Sequence, residues 1–229
     1  MNYTKQQLID YFEWDIVNWS KSLKIWDKHI SKNKLTCLEL GGRGGGLSLY
    51  LAKKGHNVIC SDLENPKEVA SILHSKNKKV TNLIKYEAID ATLIPYEDYF
   101  DIIIFKSVLG GVGRNDNYEA QKKMIEQIHK ALKKNGVLLF AENLTGSKIH
   151  SILRQKFNKW SNYWRYITKK ETKNLFSNFD TLEYKTCGFL GTFGRNNWQR
   201  NILGKIDSLI FDKILNHKNH YIIYGAVKK

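Results

Sequence analysis

The run Cys37-Leu38-Glu39-Leu40-Gly41-Gly42-Arg43-Gly44-Gly45-Gly46 constrains the fold more than any other segment, because it reads as a strand, a glycine turn and a helix start. The apolar strand, predicted over residues 35–40, ends in glycines that reach positive φ and let a ligand approach the backbone with no Cβ in the way. The following helix, predicted over 46–54, points its unpaired first-turn N–H groups at that ligand. A second strand over 57–61 brings Asp62 to its carboxyl end, where an acid can take both hydroxyls of a ribose. Together these parts predict a nucleoside-containing cofactor.

The pattern continues as alternating strands and helices. A helix is predicted over 66–75, with Pro66 suited to its first turn, then a strand over 82–89 that ends at Asp90-Ala91. Phe100-Asp101-Ile102-Ile103-Ile104-Phe105 is the nearly continuous apolar run of a central parallel strand covered on both faces. A helix over 118–134 leads to a strand over 136–141 that ends in Glu142-Asn143. The capping-box pattern Thr168-x-x-Glu171 opens a helix that reaches Phe176. A strand over 181–187, a helix over 198–216 and a closing strand over 220–227 complete the chain. Ahead of all of them, Phe12, Ile16, Trp19, Leu23, Trp26 and Ile30 form a helical apolar stripe. This order predicts a single α/β domain, residues 1–229, built on a doubly wound parallel sheet with its site outside the carboxyl ends of the strands.

The glycine spacing separates two cofactor classes. A dinucleotide fingerprint G-x-G-x-x-G fits no register, since Arg43 blocks a start at Gly41 and Leu47 blocks one at Gly42. Glu39, two residues before Gly41, instead makes the run resemble motif I of the class I S-adenosylmethionine (SAM) methyltransferases, acid-x-G-x-G-x-G, with Arg43 at the second glycine position. The resemblance covers residues 33–140. It implies a Rossmann-like sheet of order 3-2-1-4-5-7-6 with strand 7 antiparallel, an amino-terminal helical lid over 1–32 that uses Trp14, Asn18 or Trp19, and a helical insertion at 188–219. It also implies SAM as cofactor. Glu39, Gly41, Gly42, Arg43 and Gly45 then line its methionine end and the glycine turn, and Asp62 with Leu63 takes the ribose. Asp90 and Ala91 recognise adenine, and Lys106 lies beside the methyl donor.

Composition bears on the acceptor. The formal charge of +15 raises nucleic acid as a partner, but lysine supplies most of it and is scattered along the chain. The six arginines fall mainly in loops or near helix ends, where a guanidinium fork can hold phosphate or carboxylate. Arg114, Arg154, Arg165, Tyr166 and Arg195 are therefore the candidate substrate-binding residues, and the Trp160 to Tyr166 stretch adds aromatic faces. His150 is the candidate general base, with Glu142 and Tyr166 as alternatives. No Asp/Asn-Pro-Pro-aromatic signature of nucleobase amino-group methyltransferases follows the fourth strand. Glu142-Asn143 resembles a metal-binding pair, but Lys106 stands where a further carboxylate is wanted, so no metal is expected. Three cysteines without metal-like spacing predict reduced core thiols. With no apolar leader and no apolar run of about 18 residues, a cytoplasmic protein is expected. The expected activity is methyl transfer from SAM to a small anionic, sugar-linked acceptor, with O-methylation favoured, as in bacterial glycan biosynthesis. RNA methylation and SAM binding without transfer are the alternatives.

Overall fold

The computed structural model of the chain describes residues 2–157 and 163–229. Three short helices, α1 (Lys5–Phe12), α2 (Ile16–Trp19) and α3 (Leu23–His29), precede strand β1 (Thr36–Leu40). There follow α4 (Gly46–Ala52), β2 (Asn57–Asp62), α5 (Pro66–Ser75), β3 (Ile84–Ala88) and β4 (Phe100–Lys106). The second half contributes α6 (Leu109–Val112), α7 (Tyr118–Ala131), β5 (Leu132–Asn143), α8 (Lys148–Phe157), α9 (Lys169–Leu175), β6 (Thr181–Cys187), α10 (Asn197–Ile206) and β7 (Ile222–Lys228). Trp160 lies outside the described residues.

The strands form one sheet in the order β3-β2-β1-β4-β5-β7-β6, as expected from the resemblance. β1 to β5 run parallel, and β7 is antiparallel to both β5 and β6. Strand alternation divides the apolar run of β4 between two layers. Ile102 and Ile104 join Cys37, Leu47 and Trp26 on one face, whereas Ile103 and Phe105 join Leu38, Met124 and Phe176 on the other. Both faces are dry, which is why the central strands read as continuous hydrophobic segments. One boundary departs from the sequence pattern. α7 ends at Ala131 and β5 begins at Leu132, because Leu132 already pairs with Phe100, with a register shift before Ile102.

The amino-terminal stripe buries Phe12, Ile16, Trp19, Leu23 and Trp26 as expected, but not as one helix. Glu13 and Asp15 adopt left-handed φ of 62° and 47°, which breaks the helix on either side of Trp14. Two contacts anchor this segment. A Cβ on Gly46 would lie 2.4 Å from the carbonyl oxygen of Tyr11, so α1 is seated on the glycine turn backbone to backbone. Further on, the buried Asn18 amide donates to Asp15, Asp207 and the Tyr221 hydroxyl, and that hydroxyl donates to the second oxygen of Asp15. Asp207 opens the π-helical continuation of α10 and also accepts the backbone N–H groups of Leu190 and Gly191. The amino-terminal segment and the segment between β6 and β7 are thereby joined through one buried polar cluster. Burial raises the Asp15 carboxyl to about 7, and nearby Asp207 adds to the shift.

Candidate active site

The glycine turn sits where the carboxyl ends of β1, β2 and β4 meet. Gly41 and Gly45 take φ of 60° and 72°, and Gly42 is tied to β2 by its N–H on the Ser61 carbonyl. A Cβ on Gly41 would strike the Val108 side chain at 2.7 Å, and one on Gly45 would strike His74 and Ala70. These positions require glycine. Arg43 stands at φ 46°, the left-handed conformation a glycine adopts at no steric cost, which accounts for its departure from the motif: the turn keeps its shape at the cost of about 1 kcal/mol of strain. The Arg43 side chain is exposed, and its backbone N–H donates to Asp62 Oδ2 at 2.9 Å. Because glycine keeps that donor, Arg43→Gly is expected to leave SAM affinity within about twofold and stability within about 1 kcal/mol. A calorimetric titration checks this, and a tenfold loss would assign the guanidinium a ligand.

Glu39 does not face a ligand. Its carboxylate is buried and accepts the N–H groups of Leu47 and Ser48 and the Ser48 hydroxyl, at 3.2, 2.8 and 2.5 Å. This corrects its assignment to the methionine end: it anchors the first turn of α4 and so holds the glycine turn in place. Burial raises the carboxyl to about 7 against those hydrogen bonds. Asp62 is half-buried at the end of β2. Its oxygens accept from Arg43 N–H and Leu63 N–H, and a carboxylate with about four lone-pair sites keeps capacity for two hydroxyls. The Leu63 side chain is largely exposed. Asp90, also exposed, uses Oδ1 to accept the N–H and hydroxyl of Thr92, which shapes the turn that presents buried Ala91.

Lys106 ends β4, and its side chain makes no hydrogen bond or ion pair with the described residues. Its amine lies 4.9 Å from the Trp14 ring centroid and 5.5 Å from that of Trp19, and the Arg200 guanidinium is 5.6 Å from Trp14. Burial lowers the amine to about 8; Glu13 opposes the shift and Arg43 adds to it. Ser107 follows in a left-handed conformation at φ 57°, its hydroxyl accepting from Asn143. The Glu142 carboxylate is buried on the N–H groups of Val108, Leu109 and Asn143, so it shapes the turn after β4 and is not turned toward an acceptor. Among the described residues no three His, Cys, Asp or Glu side chains gather as metal ligands.

Several expected acceptor contacts prove to be internal. His150 is fully buried, its Nε2 donating to the Phe189 carbonyl at 2.8 Å and its Nδ1 accepting from Ser147 N–H at 3.0 Å, with the ring stacked on Phe193. With both nitrogens committed and burial lowering the imidazole to about 4, it cannot serve as the base. His150→Ala is therefore expected to lower stability by about 2–4 kcal/mol, measured by denaturant unfolding, without changing the shape of a pH–rate profile. Arg154 is buried and donates to the carbonyls of Leu144 and Thr145, with its guanidinium 4.0 Å from the Tyr166 ring centroid, so Tyr166 is half-buried beneath a cation. Arg165 spreads its fork over Asp116, Gln121 and Glu171 and packs on Tyr118. Most of these pairings depend on the fold, as His150 with Phe189 and Arg165 with Asp116 and Gln121. Arg114 and Arg195 remain exposed. The glycine-containing segment after β4 is α6, and its glycines admit Trp164, which a Cβ on Gly110 would strike. Glu13 carried no local sequence signal.

No curated protein matches the chain by sequence. Residues 38–140 match a family model described as a methyltransferase domain. Among solved structures, Haemonchus contortus phosphoethanolamine N-methyltransferase 2, in complex with phosphomonomethylethanolamine and S-adenosylhomocysteine, superposes with a TM-score of 0.66 at 17% identity over 99% of this chain. The chain spans 58% of that protein. Burkholderia thailandensis 1,6-didemethyltoxoflavin-N1-methyltransferase superposes with a TM-score of 0.60 at 14% identity, covering 92% of this chain and 76% of that one. The 4+2 cyclase SpnF shares the fold as well, with a TM-score of 0.62 at 12% identity and coverage of 92% and 80%, so fold alone does not decide the reaction. The sheet order and the glycine turn described above, with the match over residues 38–140, give the chain the Rossmann-like fold seen in class I SAM-dependent methyltransferases.

Proposed function

We propose that the chain transfers the methyl group of SAM to a small acceptor bearing a phosphate or carboxylate, with a sugar-linked hydroxyl of bacterial glycan biosynthesis as the first acceptor to test. The observation that carries this reading is the conjunction at the carboxyl edge of the sheet: a glycine turn with Asp62 beside it, and at the carboxyl end of β4 an ammonium, Lys106, that lies against two indoles and makes no ion pair with the described residues. The positive-φ glycines and the remaining lone pairs of Asp62 fit a nucleoside cofactor. When bound, SAM supplies an electrophilic methyl on a sulfonium, and in-line geometry then provides much of the rate. Within this site Asp62 accepts the ribose hydroxyls and the Ala91 backbone meets the base. Trp14 shields the reacting atoms from water, and Lys106 attracts the anionic part of the acceptor.

With Arg154 and Arg165 engaged inside the fold, the attraction for an anion rests on Lys106, Arg43 and the exposed Arg114 and Arg195. The phosphate-bearing acceptor bound by the Haemonchus neighbour supports this class of substrate. Asp62→Ala is expected to weaken SAM binding about 10- to 100-fold by calorimetry, the value of losing hydrogen bonds to a charged acceptor. Unchanged affinity would remove the ribose role. The activity itself is tested by mass spectrometry of products formed from labelled SAM and a panel of phosphorylated and carboxylated sugars. Among the described residues no helix is long and apolar enough to cross a membrane.

A further inference from the structure

Beyond the glycine turn, the same edge of the sheet carries a second concave region, a cleft of about 470 Å³ between α9 and the segment leading into β7. Leu144, Thr145 and Gly146 form its floor, directly after Asn143, whose amide holds Ser107 at the end of β4. Its walls bear Lys169, Lys170, Lys173, Lys218, His217 and His220, and no lining residue is acidic. Lys169 and Lys173 are four residues apart on α9, a spacing at which like charges disfavour the helix by about 0.2–0.5 kcal/mol. Lys169 rests over the Tyr184 ring at 5.5 Å, while Lys170, Lys173 and Lys218 are exposed and form no ion pair with the described residues. His220 is 1% exposed; its Nδ1 meets the Thr186 hydroxyl at 2.8 Å, and its buried Nε2 makes no well-formed hydrogen bond with the described residues.

Lysines scattered on a convex surface are solvated individually. Here four of them and two imidazoles converge on a space of the size that holds a small ligand, about 300–1,000 Å³. We infer that this cleft binds the phosphoryl tail of the acceptor, a phosphate or diphosphate. The inference rests on the proposed methyl transfer, because the floor of the cleft continues the strand end at which the acceptor reacts. An acceptor that places its nucleophile at the end of β4 then sets its anionic end among Lys170, Lys173 and Lys218. The ammonium groups act there as point charges that tolerate several phosphate geometries.

The probe is inorganic pyrophosphate, titrated calorimetrically into the full chain at an ionic strength of about 0.15 M, where distant charges are screened. The variant Lys170→Ala/Lys173→Ala/Lys218→Ala is compared with Lys76→Ala/Lys78→Ala/Lys79→Ala, which removes the same charge from exposed lysines next to β3, on the far side of the sheet. The expected result is an affinity about tenfold weaker in the first variant and unchanged in the second. Equal losses in both would reduce the binding to net charge and overturn the site. A single-stranded RNA that binds more tightly than pyrophosphate, and loses affinity steeply with salt, would assign the cleft to a nucleic acid backbone and overturn it too. SAM titrated into the same three proteins reads the cofactor site separately, so a chain that binds pyrophosphate but not SAM would refute the methyl-transfer reading and not the phosphate site.

Discussion

Glu39→Ala is expected to cost about 3 kcal/mol of stability and to abolish measurable SAM binding. The carboxylate is the sole acceptor shown for the Leu47 and Ser48 amides and for the Ser48 hydroxyl. Removing it strands buried donors, each costing about 1–3 kcal/mol, next to the glycines that shape the turn. Denaturant unfolding measures the first effect and calorimetry the second; wild-type values for both would mean that the turn holds its shape without the anchor. Glu39→Gln separates charge from hydrogen bonding. Because the folded-state carboxyl is raised to about 7 from 4.5, this group's contribution to stability is fully present below about pH 4.5 and is lost as the pH rises through about 7. Glutamine cannot titrate, so the fall in Tm between about pH 5 and pH 8 should be shallower in Glu39→Gln. Asp15 and Glu142, raised to about 7 by the same burial, keep part of that slope in the variant.

Lys106→Met is expected to act in the opposite sense on stability and activity. A half-buried ammonium that makes no ion pair with the described residues is costly to fold, and a thioether of similar length packs against Trp14 and Trp19 without that cost. The variant should gain about 1–2 kcal/mol while turnover falls about a hundredfold, the scale of removing one aligned charge from a reacting site. Thermal unfolding and steady-state kinetics are the two readings. A stability gain with unchanged turnover would leave Lys106 without a catalytic part.

The sheet was legible because its signals are local and periodic. β1, β2 and β4 announce themselves as apolar runs, and the glycines after Leu40 force a turn wherever they occur. The site was legible only as far as local signals reached. Asp62 and Lys106 end strands and were placed by that alone. Glu39 also sits on its strand, but the direction of its carboxylate depends on α4 folding back over it. Arg165 meets Asp116 across 49 residues, and His150 meets Phe189 across 39, pairings that no periodicity encodes. Trp14 was a candidate lid residue, but its contact with Lys106 was not legible, because it depends on the positive φ of Glu13 and Asp15 on either side of it.

The buried cluster of Asp15, Asn18, Asp207 and Tyr221 bears on the order of kinetic events. It fastens the segment that carries Trp14 to the segment between β6 and β7, while α1 is fastened to the glycine turn. If the chain catalyses the proposed methyl transfer, this coupling predicts an ordered sequence, with cofactor bound first and its demethylated form released last, which product-inhibition kinetics would read directly.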